Sequence, residues 1–456
     1  MAMQGDKANT KTGFRPSSKR TYLDPIHQDI VLDRSQPAER LVVDLIDAFE
    51  FQRLRRVHQL GVSYYTFQGA EGSRFTHSVG VMHIARTLAD ILAPQMENPE
   101  EQKAIILASA LLHDVGHGPF SHVTEKILHY DHEDWSCRII SGDTQIRRIL
   151  DDFKEVPGIA DKIVAVLKKQ HQPRWLSHVV SSQLDCDRFD YLLRDSYMTG
   201  TAYGLFALQR ILRSIEIDQD NDRLLVVGEK GQVAVEDYLF ARYSMYAQVY
   251  YHRKNLAARA MLGRLIKRCR ELMQGKVQHS GPSSISFCDE PTRKWLSQEP
   301  LTVDEYLFLD DVQLSYHIKR WLKDDDKILA DLSDRFLNRK LFKASRINSD
   351  DPAVIESIKA EARKISASLG LDPDYYIAVE STGFRPYDYY RPDEEHPQTN
   401  IMVRTESGAV KELSQLSLAV EALVKGNYTF YWLIYPQEAT DQIEAIANPA
   451  LTHALK

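Results

Sequence analysis

The chain has 456 residues, of which 43% are hydrophobic and 27% are charged, and its formal net charge is −7 at pH 7. This length exceeds what one hydrophobic core usually supports, so the sequence predicts two domains with a large buried interior. The negative charge argues against strong nucleic-acid binding and against attraction to anionic membranes. A phosphate-bearing partner is therefore expected to be small and to bind in a local basic pocket.

The cysteine pattern and the hydropathy of the chain bear on its compartment. The four cysteines form no CxxC pair, so neither a disulfide framework nor a thiolate zinc site is indicated. The N-terminus has no signal-like apolar segment, and no stretch approaches the roughly 20 apolar residues that cross a bilayer. We therefore expect a cytoplasmic protein without a membrane partner.

The first part of the chain is predicted to be helical. Residues 1–19 are polar and basic and are predicted to form a flexible tail. Over residues 20–280, apolar residues recur at helical spacing, as at Ile84 and Leu88, and predict a mainly helical domain. Within it, the apolar runs of Leu224–Val233 surround a glycine-containing turn and predict a small hairpin.

The character of the sequence changes at about residue 281. The stretch Tyr306–Leu341 again has helical spacing, whereas later segments alternate in the manner of strands, with turns over Pro386–Gln398. These predicted strands are Asp374–Ser381, Asn400–Arg404 and Tyr428–Tyr435. Residues 281–456 are therefore predicted to form a smaller α+β region.

The densest chemical signal is the segment Leu111–His122, which contains three histidines and an aspartate directly after an apolar helical stretch. Further candidate ligands lie upstream and downstream, on two more predicted helices. The resulting metal-ligand set is His77, His113, Asp114 and Asp187. Two imidazoles and two carboxylates suit one divalent ion of Fe, Mn, Mg, Ni or Zn, and the sequence does not choose among them.

Such an ion points to phosphoester hydrolysis, because it lowers the pKa of a bound water and polarises a phosphoryl oxygen. His117, His122 and His132 are further histidines suited to acid–base chemistry or phosphate contact, with Glu125 orienting His122. Asp187, Tyr191 and Asp195 have i, i+4, i+8 spacing, so they are expected to share one helical stripe.

Several nearby polar residues have an ordinary structural interpretation. Asp185 and Asp190 are expected on a helix surface, with Asp190 pairing with Arg194 one turn later. Three histidines are interpreted as having no special role: His83, His129 and His171. Arg242 and Arg253 are interpreted either as solvated charges or as phosphate-binding groups.

Six segments together carry a resemblance to a known family. They are Phe51–Arg55, Gln59–Gly61, Tyr64–Tyr65, Arg74–Ser78, His113–His122 and Asp187–Asp195. This set closely resembles the HD-domain deoxynucleoside triphosphate triphosphohydrolases, in the branch of the SAM-and-HD-domain enzyme and its bacterial relatives. The resemblance extends from about Tyr22 to at least Lys343 without a SAM domain, and it implies a helical HD-domain catalytic core over residues 20–280.

The resemblance implies hydrolysis of a deoxynucleoside triphosphate (dNTP) to a deoxynucleoside and inorganic triphosphate, with Mg²⁺ as a further candidate on the substrate phosphates. The positions that match the family's metal ligands are the four named above, and His117, His122, His132 and Glu125 match its catalytic group. The positions that match its substrate contacts are Arg74, Arg188 and Arg242 for the triphosphate, Gln59 and Asp195 for the 3′-hydroxyl, Tyr191 for the sugar and Leu60 for the base, with Tyr250 as a further substrate-binding residue. This chain departs from the family at Arg188, where the family has lysine, and at Tyr246, where it has histidine.

The resemblance also implies a regulatory nucleotide site. Its positions are Asp47, Gln52 and Arg55 for guanine, and Arg339 and Lys343, together with Arg20, for phosphates. Leu23 and Ala234 depart from the family's pattern, whereas Phe67 and His252 retain it, so a GTP or dGTP activator is expected and a second regulatory nucleotide is not. Such sites imply a regulatory or oligomerisation role for residues 281–456 and a homo-oligomer, dimer or tetramer. The structural alternative is an ordinary salt bridge between Asp47 and Arg55.

Two rival functions share these features. A different HD phosphohydrolase, acting on a nucleoside monophosphate, a cyclic dinucleotide or an alarmone, has the same metal set without a need for the substrate residues above. A non-catalytic nucleotide sensor binds nucleotides without turnover.

Overall fold

The mainly helical fold expected from the sequence is confirmed in a computed structural model, in which small sheets accompany the helices. The structure describes residues 18–276, 285–387, 400–426, 429–446 and 450–452, with residues 451–452 described by their backbone. Among these residues, no helix combines the length and the apolar character needed to span a lipid bilayer.

The chain enters the fold through a β-hairpin that the sequence did not predict. Strand β1 (Lys19–Asp24) pairs antiparallel with β2 (Gln28–Asp33), and the hairpin buries Ile30 and Leu32 completely. Lys19 pairs with Asp33, so the predicted tail is too long at this end; residues 1–17 lie outside the described residues.

Ten helices follow, and the fourth lies at their centre. They are α1 (Pro37–Ile46), α2 (Phe49–Gln52), α3 (Arg74–Leu92), α4 (Pro99–Leu112), α5 (His122–Leu128), α6 (His132–Ser141), α7 (Gln145–Asp152), α8 (Ile159–Leu167), α9 (Trp175–Val180) and α10 (Cys186–Thr199). Helix α4 is buried on all sides from Ala104 onward because its apolar residues face α1, α3, α8 and α9 in turn. A helix that is apolar all round is stable in such a position. Helix α3 packs against both α4 and α10.

The later helices surround this group and extend into the C-terminal part. They are α11 (Leu208–Arg213), α12 (Gly228–Met245), α13 (Arg253–Met273), α14 (Glu290–Ser297), α15 (Val303–Leu307), α16 (Asp311–Trp321), α17 (Lys327–Leu337), α18 (Pro352–Ser368), α19 (Pro373–Tyr376), α20 (Leu418–Lys425) and α21 (Thr440–Glu444). A π-helical turn over Tyr246–Tyr250 joins α12 to the segment before α13.

Two four-stranded sheets complete the described fold. Their strands are β3 (Ile215–Asp218), β4 (Arg223–Val227), β5 (Lys343–Ile347), β6 (Ala378–Thr382), β7 (Met402–Arg404), β8 (Val410–Glu412), β9 (Phe430–Tyr435) and β10 (Leu451–Thr452). One sheet has the order β3-β4-β7-β8, with β4 and β7 parallel, and the other has the antiparallel order β10-β5-β9-β6. A second, smaller apolar core lies among β5, β9, α18 and α21. The division at residues 280 and 281 stays a prediction.

Two local predictions were wrong. The hairpin is formed by β3 and β4, and Gly228 begins α12 instead of forming the turn. The predicted strand from Asp374 begins instead as the short helix α19, because Pro373 occupies its first turn and the Asp372 side chain caps it. Most of the predicted turn segment, residues 388–398, and the start of the last predicted strand lie outside the described residues.

Candidate active site

Four polar side chains converge where α3, the end of α4 and α10 meet. His77 projects from α3, His113 and Asp114 lie directly after α4, and Asp187 lies in the first turn of α10. The His77 Nε2 atom is 2.9 Å from Asp187 Oδ1 and 3.6 Å from Asp114 Oδ2. The His113 Nε2 atom is 3.3 Å from Asp114 Oδ1 and 3.6 Å from Asp187 Oδ1. The structure therefore brings together all four residues of the predicted ligand set.

The donor atoms of this cluster suit a divalent cation. One ligand atom from each of His77, His113 and Asp187 lies within 4.8 Å of the others. The Nδ1 atom of His113 hydrogen-bonds the Ala110 carbonyl at 2.8 Å, so Nδ1 carries the proton and Nε2 keeps a lone pair. That Nε2 atom is buried and has no hydrogen-bond partner among the described residues. A buried acceptor beside two carboxylates is the arrangement expected of a metal ligand.

The second histidine cluster is organised by Glu125. One carboxylate oxygen lies 2.6 Å from His122 Nδ1, and the other lies 2.7 Å from His132 Nδ1. These two hydrogen bonds outweigh burial and hold the pKa of Glu125 well below its usual range. The His132 ring stacks on His117 with 3.8 Å between the centroids. The carboxylate thus fixes two imidazoles next to a third.

Gly116 allows the cluster around Glu125 to lie close to the cluster around His113. A Cβ atom at this position would collide with the backbone of His132 and Ser136 in α6. The Gly116 N–H donates to Ser136 Oγ at 2.9 Å, and that hydroxyl donates to the His113 carbonyl at 2.8 Å. The glycine therefore lets α6 lie against the turn that carries His113.

One cavity of about 510 Å³ joins the two clusters. It is lined by most of the predicted site residues, including His113, Asp114, Asp187, His122, His132, Gln59, Leu60, Arg74, Arg188, Tyr191, Asp195 and Tyr250. His77, His117 and Glu125 lie beneath this surface and hold the lining residues. A volume of this size accommodates a small-molecule ligand.

The predicted cations lie in different environments. Arg74 Nη1 pairs with Asp114 at 2.5 Å, and its Nε donates to Ser121 Oγ at 2.8 Å. Arg188 is 24% exposed, lines the cavity and lies 3.4 Å from Asp185. Arg242 is buried, donates to the Pro386 carbonyl at 2.7 Å, and does not line the cavity. The interpretation of Arg242 as a solvated charge was therefore wrong.

The residues predicted to contact the sugar lie together on the cavity wall. Asp187, Tyr191 and Asp195 share one face of α10, as their spacing predicts. The Tyr250 hydroxyl donates to Asp195 Oδ2 at 2.9 Å, and Gln59 Oε1 is buried without a hydrogen-bond partner among the described residues. Acceptors of this kind are available to a ligand hydroxyl.

Asp195 gives a pH-dependent stability that can be measured. Burial raises its pKa from 3.8 to about 7, although the Tyr250 hydrogen bond opposes the rise. The folded carboxyl keeps its proton between these values whereas the unfolded one loses it, so stability falls as the pH rises from about 4 to 7. The shift corresponds to about 4 kcal/mol. We expect metal-free Asp195→Asn to melt several degrees above the wild type at pH 8, with the difference shrinking towards pH 5 in thermal scans.

A matched control for this measurement is Asp134→Asn, which removes an exposed carboxylate on α6. Its melting temperature should follow that of the wild type at each pH. A pH-independent difference between Asp195→Asn and the wild type would contradict the raised pKa.

Some site residues were missed or misinterpreted from the sequence. Asp190 is fully buried and lies 2.8 Å from His77 Nδ1, so its placement on a helix surface was wrong, although it does pair with Arg194. Asp185 is likewise buried and caps α10. Lys126 and Arg259 line the cavity, and no sequence signal distinguished them from ordinary helix-surface cations.

The predicted activator residues lie apart from this cavity. Asp47 pairs with Arg20 at 2.5 Å, whereas Arg55 Nε donates to Gln52 at 2.8 Å, so the alternative of an Asp47–Arg55 salt bridge is not what the structure shows. Arg339 and Lys343 line a separate cavity of about 470 Å³ together with Arg253 and Lys254. Arg253 is exposed at this cavity, whose lining also includes Asp441 and Glu444, so both interpretations of Arg253 stay open.

Two family models match these parts of the chain. An HD domain matches residues 74–195, and an HD associated region matches residues 206–285. The helical fold and the cluster of histidines and aspartates define an HD-domain phosphohydrolase, a class whose members bind a divalent metal. The chain belongs to this HD-domain family, as the sequence resemblance implied.

Individual relatives differ in how much of the chain they match. The uncharacterized protein YwfO of Bacillus subtilis is 38% identical over 92% of this chain and 93% of its own length. The human deoxynucleoside triphosphate triphosphohydrolase SAMHD1 is 28% identical over 50% of this chain and 41% of its own length. A crystal structure of a phosphohydrolase from Bacteroides thetaiotaomicron superposes with a TM-score of 0.77 at 27% identity, covering 92% of this chain and 100% of that chain.

Proposed function

We propose that this phosphohydrolase cleaves dNTPs to a deoxynucleoside and inorganic triphosphate. One observation carries the proposal: a single cavity is lined by candidate metal ligands, by the three arginines Arg74, Arg188 and Arg259, and by a polar wall suited to a sugar. A trianionic tail, a phosphorus atom under attack and a deoxyribose each find a matching surface there. The resemblance to SAMHD1 supports the same substrate class.

The metal site and Arg74 would act on the attacking water and on the α-phosphoryl group. His77, His113, Asp114 and Asp187 would hold the metal, an ion of Fe, Mn, Mg, Ni or Zn, which lowers the pKa of a bound water and polarises a phosphoryl oxygen. Arg74 lies against Asp114, so its guanidinium would place positive charge beside the same phosphoryl group. A water oxygen would bond to the α-phosphorus while the bond from that phosphorus to the 5′ oxygen breaks, which releases triphosphate and leaves a 5′ oxygen that takes up a proton.

The second histidine cluster supplies the proton that the departing 5′ oxygen needs. Glu125 binds Nδ1 of both His122 and His132, which leaves Nε2 of each ring as its remaining site for a proton. Both histidines line the cavity. A positioned imidazole with a carboxylate behind it is a typical general acid.

The sugar wall provides a basis for selecting deoxyribose. Tyr191 lies on α10 between Asp187 and Asp195 and lines the cavity with them, so we place its ring between the metal end and the sugar end of the cavity. We propose that Gln59, Asp195 and Tyr250 contact the 3′-hydroxyl side of the sugar and that Leu60 faces the base. The bulk of Tyr191 would then exclude a 2′-hydroxyl.

The test is a turnover assay on protein of known metal content. Each dNTP is compared with GTP and dAMP in the presence of Mn²⁺ or Mg²⁺, and inorganic triphosphate is detected directly. We expect inorganic triphosphate to be released from dNTPs and not from GTP or dAMP. Hydrolysis of a monophosphate, a cyclic dinucleotide or an alarmone instead would replace the substrate class, and tight nucleotide binding without turnover would indicate a sensor.

Arg188 is predicted to contribute to triphosphate binding. Charged hydrogen bonds contribute about 1.5–3 kcal/mol, so Arg188→Ala should lower kcat/KM for dNTPs by about 10- to 100-fold, mainly through KM. Arg188→Lys keeps the charge and should lose less. Steady-state kinetics with Arg213→Ala, an exposed arginine on α11, as the control would test this. An unchanged KM in Arg188→Ala would remove Arg188 from the substrate contacts.

We also propose that a guanine nucleotide, GTP or dGTP, activates the enzyme and stabilises a homo-oligomer. Asp47, Gln52 and Arg55 would read the guanine, while Arg339 and Lys343 supply positive charge for the phosphates. A ligand that binds the assembled form stabilises that form by mass action. We expect the molar mass of the assembly, measured by light scattering, to rise with added nucleotide. We also propose that the enzyme acts in the cytoplasm.

The activator proposal predicts a defined effect at Lys343, an exposed residue at the start of β5. Loss of one charged hydrogen bond of about 1.5 kcal/mol should raise the GTP or dGTP concentration for half-maximal activation about tenfold in Lys343→Ala. Activation curves would measure this, with Lys359→Ala as the control, a lysine of α18 that pairs with Glu356 at 2.9 Å. Superimposable curves for the two variants would contradict the assigned site.

A further inference from the structure

A buried carboxylate lies directly behind one of the candidate metal ligands. Asp190 is fully buried, lies outside the cavity lining, and has Oδ2 at 2.8 Å from His77 Nδ1. The other nitrogen of the same ring, Nε2, faces Asp187 at 2.9 Å. The His77 ring is thus held between a carboxylate in the interior and a carboxylate at the site.

We propose that Asp190 is a positioning residue for the metal site and that the turn of the β1–β2 hairpin is a structural part of that site. An aspartate accepts hydrogen bonds, so Asp190 places the His77 proton on Nδ1 and leaves a lone pair on Nε2 for the ion. Such carboxylate–histidine pairs fix the ring orientation and raise the basicity of the ligand. The inference rests on the metal site of the proposed function and is independent of the substrate.

The surroundings of Asp190 are built to hold this carboxylate in place. Arg194, one turn later on α10, donates to both carboxylate oxygens at 2.8 and 3.0 Å. His27 Nε2 lies 2.6 Å from Oδ1. A buried carboxylate with this many partners keeps one orientation, because each rotation would leave a charged group unpaired.

Gly80 provides an independent observation. It lies on α3 one turn after His77, and a Cβ atom there would collide with the Asp190 carboxylate and with Arg194. Helices α3 and α10 therefore approach closely enough for the contact because this position has no side chain. The close packing of these helices serves the Asp190–His77 hydrogen bond.

The hairpin reaches the site through its turn. Asp24, the last residue of β1, accepts from Arg194 at 2.8 Å and from the backbone N–H groups of Ile26 and His27 at 2.9 Å each. This fixes the turn that presents His27 to Asp190. The hairpin is thereby linked by hydrogen bonds to a ligand more than 40 residues later in the chain, which gives it a role in metal binding beyond covering the core.

The experiment measures Mn²⁺ affinity of metal-stripped full-length protein by calorimetry, without nucleotide. Asp190→Asn keeps the shape of the side chain but removes its charge, and we expect about 10- to 100-fold weaker Mn²⁺ binding, as is typical when such a partner is lost. His27→Ala keeps the Asp190–Arg194 pair and should weaken binding by a smaller factor. Asp190→Glu, which restores the charge, should recover part of the affinity.

The matched control separates positioning from general stability. Asp326→Asn also removes a buried carboxylate that pairs with an arginine. Arg268 donates to the two Asp326 oxygens at 3.0 Å and 2.5 Å, and Asp326 caps α17, away from the metal cluster. Both asparagine variants should lower the melting temperature, but Asp326→Asn should bind Mn²⁺ like the wild type. Wild-type Mn²⁺ affinity in His27→Ala and Asp190→Asn would overturn the proposal, as would equal weakening in Asp326→Asn.

If Asp190→Asn does not fold, His27→Ala decides the question alone. Wild-type affinity in His27→Ala would then overturn the role of the hairpin turn and of its contact with Asp190, and weakened binding supports it. Because no nucleotide is present, a failure of the dNTP assay leaves this result interpretable. Conversely, an unchanged Mn²⁺ affinity leaves the proposed substrate standing.

Discussion

Replacing His113 by alanine is expected to lower kcat/KM for dNTPs about a thousandfold. A metal ion at such a site stabilises the transition state by several kcal/mol, and about 1.36 kcal/mol corresponds to a tenfold change in rate. The structure indicates that His113 is free to serve as a ligand. Its Nδ1 atom is occupied by the Ala110 carbonyl, and its buried Nε2 atom faces the two carboxylates. Loss of the ring should therefore reduce both metal content and turnover.

His113 is a sharper choice for this test than Asp114. The Asp114 carboxylate pairs with buried Arg74, so its removal leaves an uncompensated guanidinium and destabilises the fold by about 3–5 kcal/mol. His113 lies 3.3 Å or more from its carboxylate neighbours, compared with 2.5 Å for the Arg74–Asp114 pair. Its replacement by alanine therefore breaks no close pair of buried charges. Its effect on activity is thus easier to separate from unfolding.

The measurement combines steady-state kinetics, metal analysis and a thermal scan. The control is His129→Asn, which removes a histidine from an exposed turn with φ of 52°, a backbone conformation that asparagine tolerates. It should keep activity and metal. A folded His113→Ala protein with wild-type turnover would move the active centre elsewhere.

The sequence was informative where chemistry and local spacing coincide. The cluster in Leu111–His122 is dense enough to indicate a metal site, and the i, i+4, i+8 spacing correctly predicted that Asp187, Tyr191 and Asp195 share a helix face. The apolar stretch before His113 was likewise predicted to be helical, and it forms α4. In each case, the residues within one helix or one turn determine the result.

The sequence was less informative where a residue's role depends on a distant partner. Asp190 was interpreted as a surface residue because its i+4 neighbour Arg194 is a typical exposed ion pair, whereas the structure buries both beside His27 and His77. These contacts join positions as much as 163 residues apart. Gly228 was interpreted as a hairpin turn because a glycine between apolar runs fits a turn and a helix start equally well.

The second large effect is expected at Glu125. Glu125→Gln should lower kcat for dNTPs by about 10²- to 10⁴-fold, the usual range for loss of general acid–base catalysis. The carboxylate accepts from Nδ1 of both His122 and His132. A glutamine has one acceptor oxygen and one donor nitrogen, so it can satisfy one ring in its present tautomer and not both.

Unlike His113→Ala, Glu125→Gln is expected to keep its bound metal. Glu125 belongs to the cluster with His117, His122 and His132, separate from the cluster with His77, His113 and Asp187. Metal content and Mn²⁺ affinity of Glu125→Gln should therefore match the wild type while kcat falls. Asp134→Asn, a neutralised carboxylate in the first turn of α6, is the control for a change of charge nearby. If Glu125→Gln lost its metal together with its kcat, the division of labour between the two clusters would be wrong, and the Glu125 group would belong to the metal site.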